Sequence, residues 1–180
     1  MFDYEKFEND VVRQMTEVFH RWTEENDDLY IFSLDCARGM DSVAAIANTN
    51  ANLEEQADEE AEDYWYYKYC EEEWDLFEVD AFEAVSADMK KYIEDNDNNF
   101  TNSDTYEYTE QFDEHCDKII EHCKNALIRF RQIVDKDHSD ILLTFNIREY
   151  LDGDERIEIF EAINSETASE EYAEHIEDFA

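Results

Sequence analysis

The chain has no proline and only two glycines, Gly39 and Gly153. Phosphate-cradling loops and dinucleotide fingerprints need clustered glycine, so both are excluded. No G-x-S-x-G or H-E-x-x-H occurs either. No apolar run approaches about 18 residues, so no transmembrane helix is expected. Basic residues are scarce, 14 Lys and Arg against 51 Asp and Glu, for a net charge of −37. Such a surface repels nucleic acid and anionic membrane and attracts cationic proteins. The first residues, MFDYEKFEND, lack a basic region followed by an apolar one. Four scattered cysteines (Cys36, Cys70, Cys116, Cys123) suggest reduced thiols, and a cytoplasmic location is expected.

What is plentiful is apolar and aromatic. Hydrophobic residues make up 43% of the chain, enough to bury a core despite the charge. With no proline and no Gly/Ser linker, a single domain over 1–180 is expected. The apolar series Tyr4, Phe7, Val11, Met15, Val18, Trp22 steps by three or four, predicting an amphipathic helix to about Glu25. Leu29–Asp35 and Ser42–Thr49 read as a hairpin turning at Gly39, and Ala44, Ala45 and Ala47 point to close packing. Asn52 with Glu55 resembles a helix start. A second helix is expected over about 79–95, and a polar loop over 96–104. A long helix capped by Ser103 or Asp104 follows, to about Asp135, with the stripe Phe112, Cys116, Ile119, Cys123, Leu127, Phe130, Val134. Asp140–Asn146 reads as a third strand. Between Arg148 and Asn164 the pattern fits a strand with an Asp152-Gly153 hairpin turn or a helix through Ile157, Phe160 and Ile163. Thr167 with Glu170 suggests the cap of a short terminal helix. The expected fold is α+β: an antiparallel sheet of at least three strands against long amphipathic helices.

The densest stretch runs from Leu53 to Asp80. Seven of the ten residues from Glu54 to Asp63 are acidic. The aromatic run Tyr64-Trp65-Tyr66-Tyr67-Lys68-Tyr69 follows, then Glu71-Glu72-Glu73-Trp74. Carboxylates can pair with Arg and Lys on a partner, and Tyr and Trp supply contact area and cation–π faces. The candidate partner-binding residues are therefore Glu54, Glu55, Asp58, Glu59, Glu60, Glu62, Asp63, Glu71, Glu72 and Glu73 for steering, with Tyr64, Tyr66, Tyr69 and Trp74 as anchors. The bland alternative is a solvated acidic face over core aromatics.

Two other patterns resemble metal sites. Glu114-His115-Cys116 and Glu121-His122-Cys123 repeat at seven residues, about 10 Å apart on one helix, too far to share a zinc ion. Asp95-Asn96-Asp97-Asn98-Asn99 begins like a calcium loop, but its sixth and twelfth positions are Phe100 and Tyr106. No metal, cofactor or catalytic residue is expected.

The strand LYIFSLD, then Ala47-Asn48-Thr49, then Tyr66-Tyr67-Lys68-Tyr69, closed by Glu73-Trp74, resembles a bacterial family of uncharacterised domains about this long. The resemblance covers roughly residues 1–165. It implies an α+β fold, and some relatives are presumed toxin-immunity proteins. The acidic insertion near 53–63 departs from the pattern. Three functions follow as expectations: an inhibitor or immunity protein for a basic toxin or nuclease, a DNA mimic acting on a nucleic-acid-binding protein, and an enzyme with an unrecognised carboxylate pair.

Overall fold

A computed structural model describes residues 1–147 and 150–179. The fold is α+β. In chain order the elements are α1 (Tyr4–Glu25), β1 (Leu29–Cys36), β2 (Val43–Thr49), α2 (Asn50–Gln56), α3 (Tyr64–Tyr69), β3 (Leu76–Glu78), α4 (Glu83–Asp95), α5 (Asp97–Phe100), α6 (Glu110–Val134), β4 (Leu142–Asn146), α7 (Gly153–Ile163) and α8 (Glu166–His175). No described helix is long and apolar enough to cross a membrane.

The strands form one sheet in the order β3-β2-β1-β4. β1 and β2 make the antiparallel hairpin, and β3, which the sequence did not predict, extends it antiparallel. The all-antiparallel expectation fails at β4, which pairs with β1 in parallel, Ile31 opposite Leu142 through Asp35 opposite Asn146. The reason is topological. The chain returns to β1 through the long helix α6, the kind of crossover that delivers a parallel strand. The turn at 37–41 also differs in detail. Its left-handed residue is Met40 (φ 53°), not Gly39. The Met40 side chain is fully buried, with its sulfur 3.8 Å from Cys36 Sγ, and that burial offsets the backbone strain.

Side chains alternate across the sheet, which gives two cores. Phe32, Leu34, Ala45, Ala47, Leu143 and Phe145 meet α1 and α6 on the first face. Ala44 points to the other face, so the three alanines do not act together. A register shift between Leu29 and Ile31 lets Leu29 join Phe32 on the first face. Phe7, Val11, Met15, Val18 and Trp22 of α1 pack there with Phe112, Ile119, Cys123, Leu127 and Phe130 of α6. Rings of Phe19, Phe32 and Phe130 lie 5.2–5.9 Å apart at its centre. The second core is aromatic: Ile31 and Ile46 with Tyr69, Trp74, Phe160, Tyr172 and Phe179.

Several boundaries moved for local reasons. α2 is capped by Thr49, whose Oγ1 accepts from Asn52 N–H at 3.2 Å, rather than by Asn52. α6 begins at Glu110 because Asn102 Oδ1 accepts from the Asp104 and Thr105 amides, a local turn that competes with helix. Inside the expected polar loop, α5 buries Phe100. The ambiguous span from 153 is helical, with Asp152 and Glu155 forming a reciprocal cap at 3.0 Å in each direction. Arg148 and Glu149, at the start of that span, lie outside the described residues. Ser165, not Thr167, caps α8.

The repeated Glu-His-Cys triplets lie on one side of α6 two turns apart, and each histidine meets its own partner on α1. Cys116 and Cys123 are buried, His115 Nδ1 lies 2.8 Å from Tyr4 Oη, and His122 Nδ1 lies 2.7 Å from Glu8. His115 sits among Phe2, Tyr4, Tyr92 and Phe100. Burial, and secondarily the charge of Lys118, pushes its pKa down from 6.5 to about 4. The unfolded chain therefore takes up a proton near pH 6.5 that the folded chain refuses until about pH 4. Stability from this group is complete above pH 6.5 and falls by about 2–3 kcal/mol on acidification toward pH 4. His115→Phe is expected to flatten the dependence between pH 7 and 5, measured as urea midpoints. An unchanged slope would assign it to other groups.

Candidate partner-binding surface

The acidic insertion is carried between two short helices fastened to the sheet. Asn48, at the end of β2 and 1% exposed, is the hub. Its Nδ2 donates to Tyr30 Oη at 3.2 Å, and Tyr30 Oη donates to the Lys68 carbonyl at 2.9 Å. Its Oδ1 accepts from Thr49 N–H at 3.0 Å and from Asn52 Nδ2 at 2.8 Å. Asn52 Nδ2 also donates to the Glu73 carbonyl at 3.3 Å, and Tyr66 Oη donates to the Glu73 carboxylate at 2.8 Å. That last bond, chiefly, raises the Tyr66 pKa; burial does the same for Tyr30. The network joins the end of β2, the start of α2, the end of α3 and the segment before β3. Everything between Gln56 and Tyr64 is thus held at both ends.

Glu54 and Glu55 on α2, and Asp58, Glu59, Glu60, Glu62 and Asp63 in the loop, are all exposed. Among the described residues none of these seven meets a basic side chain. Among the described residues several of the scarce cations pair elsewhere, for example Lys6 with Asp10 and Asp88, and Arg129 with Glu8. The ridge is therefore a patch of one sign. Tyr64, Trp65, Tyr66 and Tyr67 of α3 are half-buried beside it. Lys68 Nζ lies 4.7 Å from the Trp65 ring and 2.6 Å from Glu171 of α8. Trp65 also stacks on His175 at 3.9 Å. Burial alone would raise the Glu171 carboxyl, but hydrogen bonds from Lys68 and Tyr69 outweigh it and hold the pKa below the usual value. α3 is thereby pinned to α8.

Three expected contact residues are not at the surface. Tyr69 is 1% exposed and packs against Tyr172 and Phe179. Trp74 is 8% exposed in the same core. Glu71, 7% exposed, pairs with Arg156 Nη2 at 3.4 Å and accepts from Asn146 Nδ2 at 3.3 Å. Burial raises its pKa against the pull of Arg156. Their apolar area and internal pairing placed them inside, where sequence density had placed them on the ridge. Glu72 is exposed and Glu73 half-buried. The candidate surface that remains comprises the seven ridge acids, Glu72, Glu73, Tyr64 and Tyr66, backed by Asn48, Asn52 and Tyr30.

The family model described as a domain of unknown function, DUF4303, matches residues 8–165. The chain belongs to this family. Comparison with curated proteins and with solved structures found no match. Within this DUF4303 domain, the short motifs noted in the sequence acquire a physical role. Asn48 and Thr49, Tyr66 and Lys68, and Glu73 are the members of the hydrogen-bond network above. Asn48→Ala would leave Tyr30 Oη, Thr49 N–H and Asn52 short of a partner in a buried place. We expect a loss of about 2–3 kcal/mol in urea unfolding. A loss under about 0.5 kcal/mol would mean the network is not the fastening.

Proposed function

We propose that this DUF4303 protein is a non-catalytic binder of a basic protein, acting as an immunity-type inhibitor of a cationic toxin or nuclease. The reading rests on one observation: seven exposed carboxylates between Glu54 and Asp63, none with a basic neighbour among the described residues, presented on a segment fastened at both ends. A patch of one charge accelerates encounter with an oppositely charged face, and fastening the segment at both ends reduces the entropy lost on docking. Half-buried Tyr64 and Tyr66 supply anchoring area next to the charges. The Glu54, Glu55, Glu59 and Glu60 carboxylates steer; Asp58, Glu62 and Asp63 extend the patch, and Glu72 lies farther along the same segment.

The test is capture on the immobilised chain from a lysate of the cells that encode it, washed at low and then moderate salt. One basic protein surviving moderate salt supports the reading. If generic duplex DNA displaces that protein, the target holds DNA and the chain acts as a DNA mimic. A broad set of cationic proteins that all wash off would reduce the ridge to a solvated face.

A further inference from the structure

The two edges of the sheet are treated differently. At the β4 edge, Asn164 accepts from Leu143 N–H at 2.9 Å through Oδ1 and donates to the Leu143 carbonyl at 2.7 Å through Nδ2. The side-chain amide does there what another strand would do, and α7 packs alongside. At the other edge, β3 pairs only with β2, and no described backbone group bonds its outer side. Natural sheets usually blunt such an edge with charge, proline or a cover. Here the edge carries Phe77, 62% exposed, and Val79, 45% exposed.

The strand is also held ready. Glu78 forms an ion pair with Arg21 on α1, and its Oε1 accepts from Ala81 N–H at 3.1 Å. Phe77 lies opposite Ile46 on the second face and lines a cleft together with Ala44. Asp35, Asp41, Asp80 and Glu83 line this cleft, against one lysine, Lys90. We propose that the outer edge of β3 accepts an extended cationic segment of a partner protein as a fifth strand. Main-chain hydrogen bonds to residues 75–79 supply affinity, and alternate side chains supply selectivity: an apolar one on Phe77 and a basic one toward the carboxylates. The net charge of −37 opposes a second copy of this chain at the same edge. This surface is separate from the ridge, and neither depends on the other.

The test uses the full chain and a synthetic eight-residue peptide, Val-Thr-Lys-Thr-Val-Thr-Lys-Thr, whose valines and lysines share the face that meets Phe77 and the cleft. Its counterpart carries N-methyl groups on alternate amides, which removes main-chain donors and keeps the charge. Slowed amide exchange at residues 75–79, at least tenfold weaker binding of the methylated peptide, and loss of that protection in Phe77→Lys are expected. Phe77 is exposed, so this variant should fold, as its thermal melt will show. Equal binding of both peptides, or protection confined to 54–63, would overturn the proposal in favour of charge alone. A dimer protected at 75–79 without peptide would overturn it in favour of a second copy.

Discussion

Arg156→Met is expected to destabilise the fold by about 3–5 kcal/mol, because it leaves the Glu71 carboxylate buried without its cation. The pair is nearly inaccessible: 7% exposure for each residue, with Glu71 also held by Asn146. For a chain of this size the loss corresponds to a fall in Tm of roughly 10 °C. Glu71→Gln should cost less, since an amide can still bond Arg156 and Asn146 and carries no charge to strand. The double variant Glu71→Leu/Arg156→Met should recover most of the loss, because apolar replacement of both partners removes the desolvation penalty together with the attraction. Thermal and urea unfolding of the three variants separates these cases. Equal loss in all three would mean that packing, not the unpaired charge, sets the cost.

The ridge carries the second large effect. Changing Glu54, Glu55, Glu59 and Glu60 together to Lys should slow association with the captured partner by about 10–100-fold at low salt. Dissociation should change far less, because exposed charges act mainly on encounter. Stability should hold or rise slightly, since self-repulsion falls. Tyr64→Ala should do the reverse, quickening dissociation with little change in association. Stopped-flow association at two salt concentrations reads both. An association rate untouched by four reversals would remove the ridge from the interface.

Much of this was legible in the residues. The stripes of α1 and α6 were visible because one face of each is continuously apolar, and the β1–β2 hairpin because two β-rich runs flank a turn. β3 was hidden: three residues, Leu76 to Glu78, give no alternation to detect. The direction of β4 was hidden because pairing sense depends on the route of the chain, not on the strand's composition. The site divides in the same way. Exposure of Glu54–Asp63 follows from charge density alone, since seven carboxylates in ten residues have no route into a core. Tyr69, Glu71 and Trp74 looked like their neighbours in sequence. They lie inside because α7, α8 and the residues after α8 bring Arg156, Tyr172 and Phe179 from distant parts of the chain. The hub role of Asn48 had a faint signal in Ala47-Asn48-Thr49, whose meaning appears only when Tyr30, Asn52 and Glu73 converge on it.

The most direct test of the central claim is an amide-exchange footprint of the chain bound to the basic protein it captures. The account predicts slowed exchange from α2 through α3, residues 50–69, centred on the ridge and abolished by the four reversals. Exchange in 54–63 unchanged on binding, with protection only at a distant face such as α1 or α4, would contradict it.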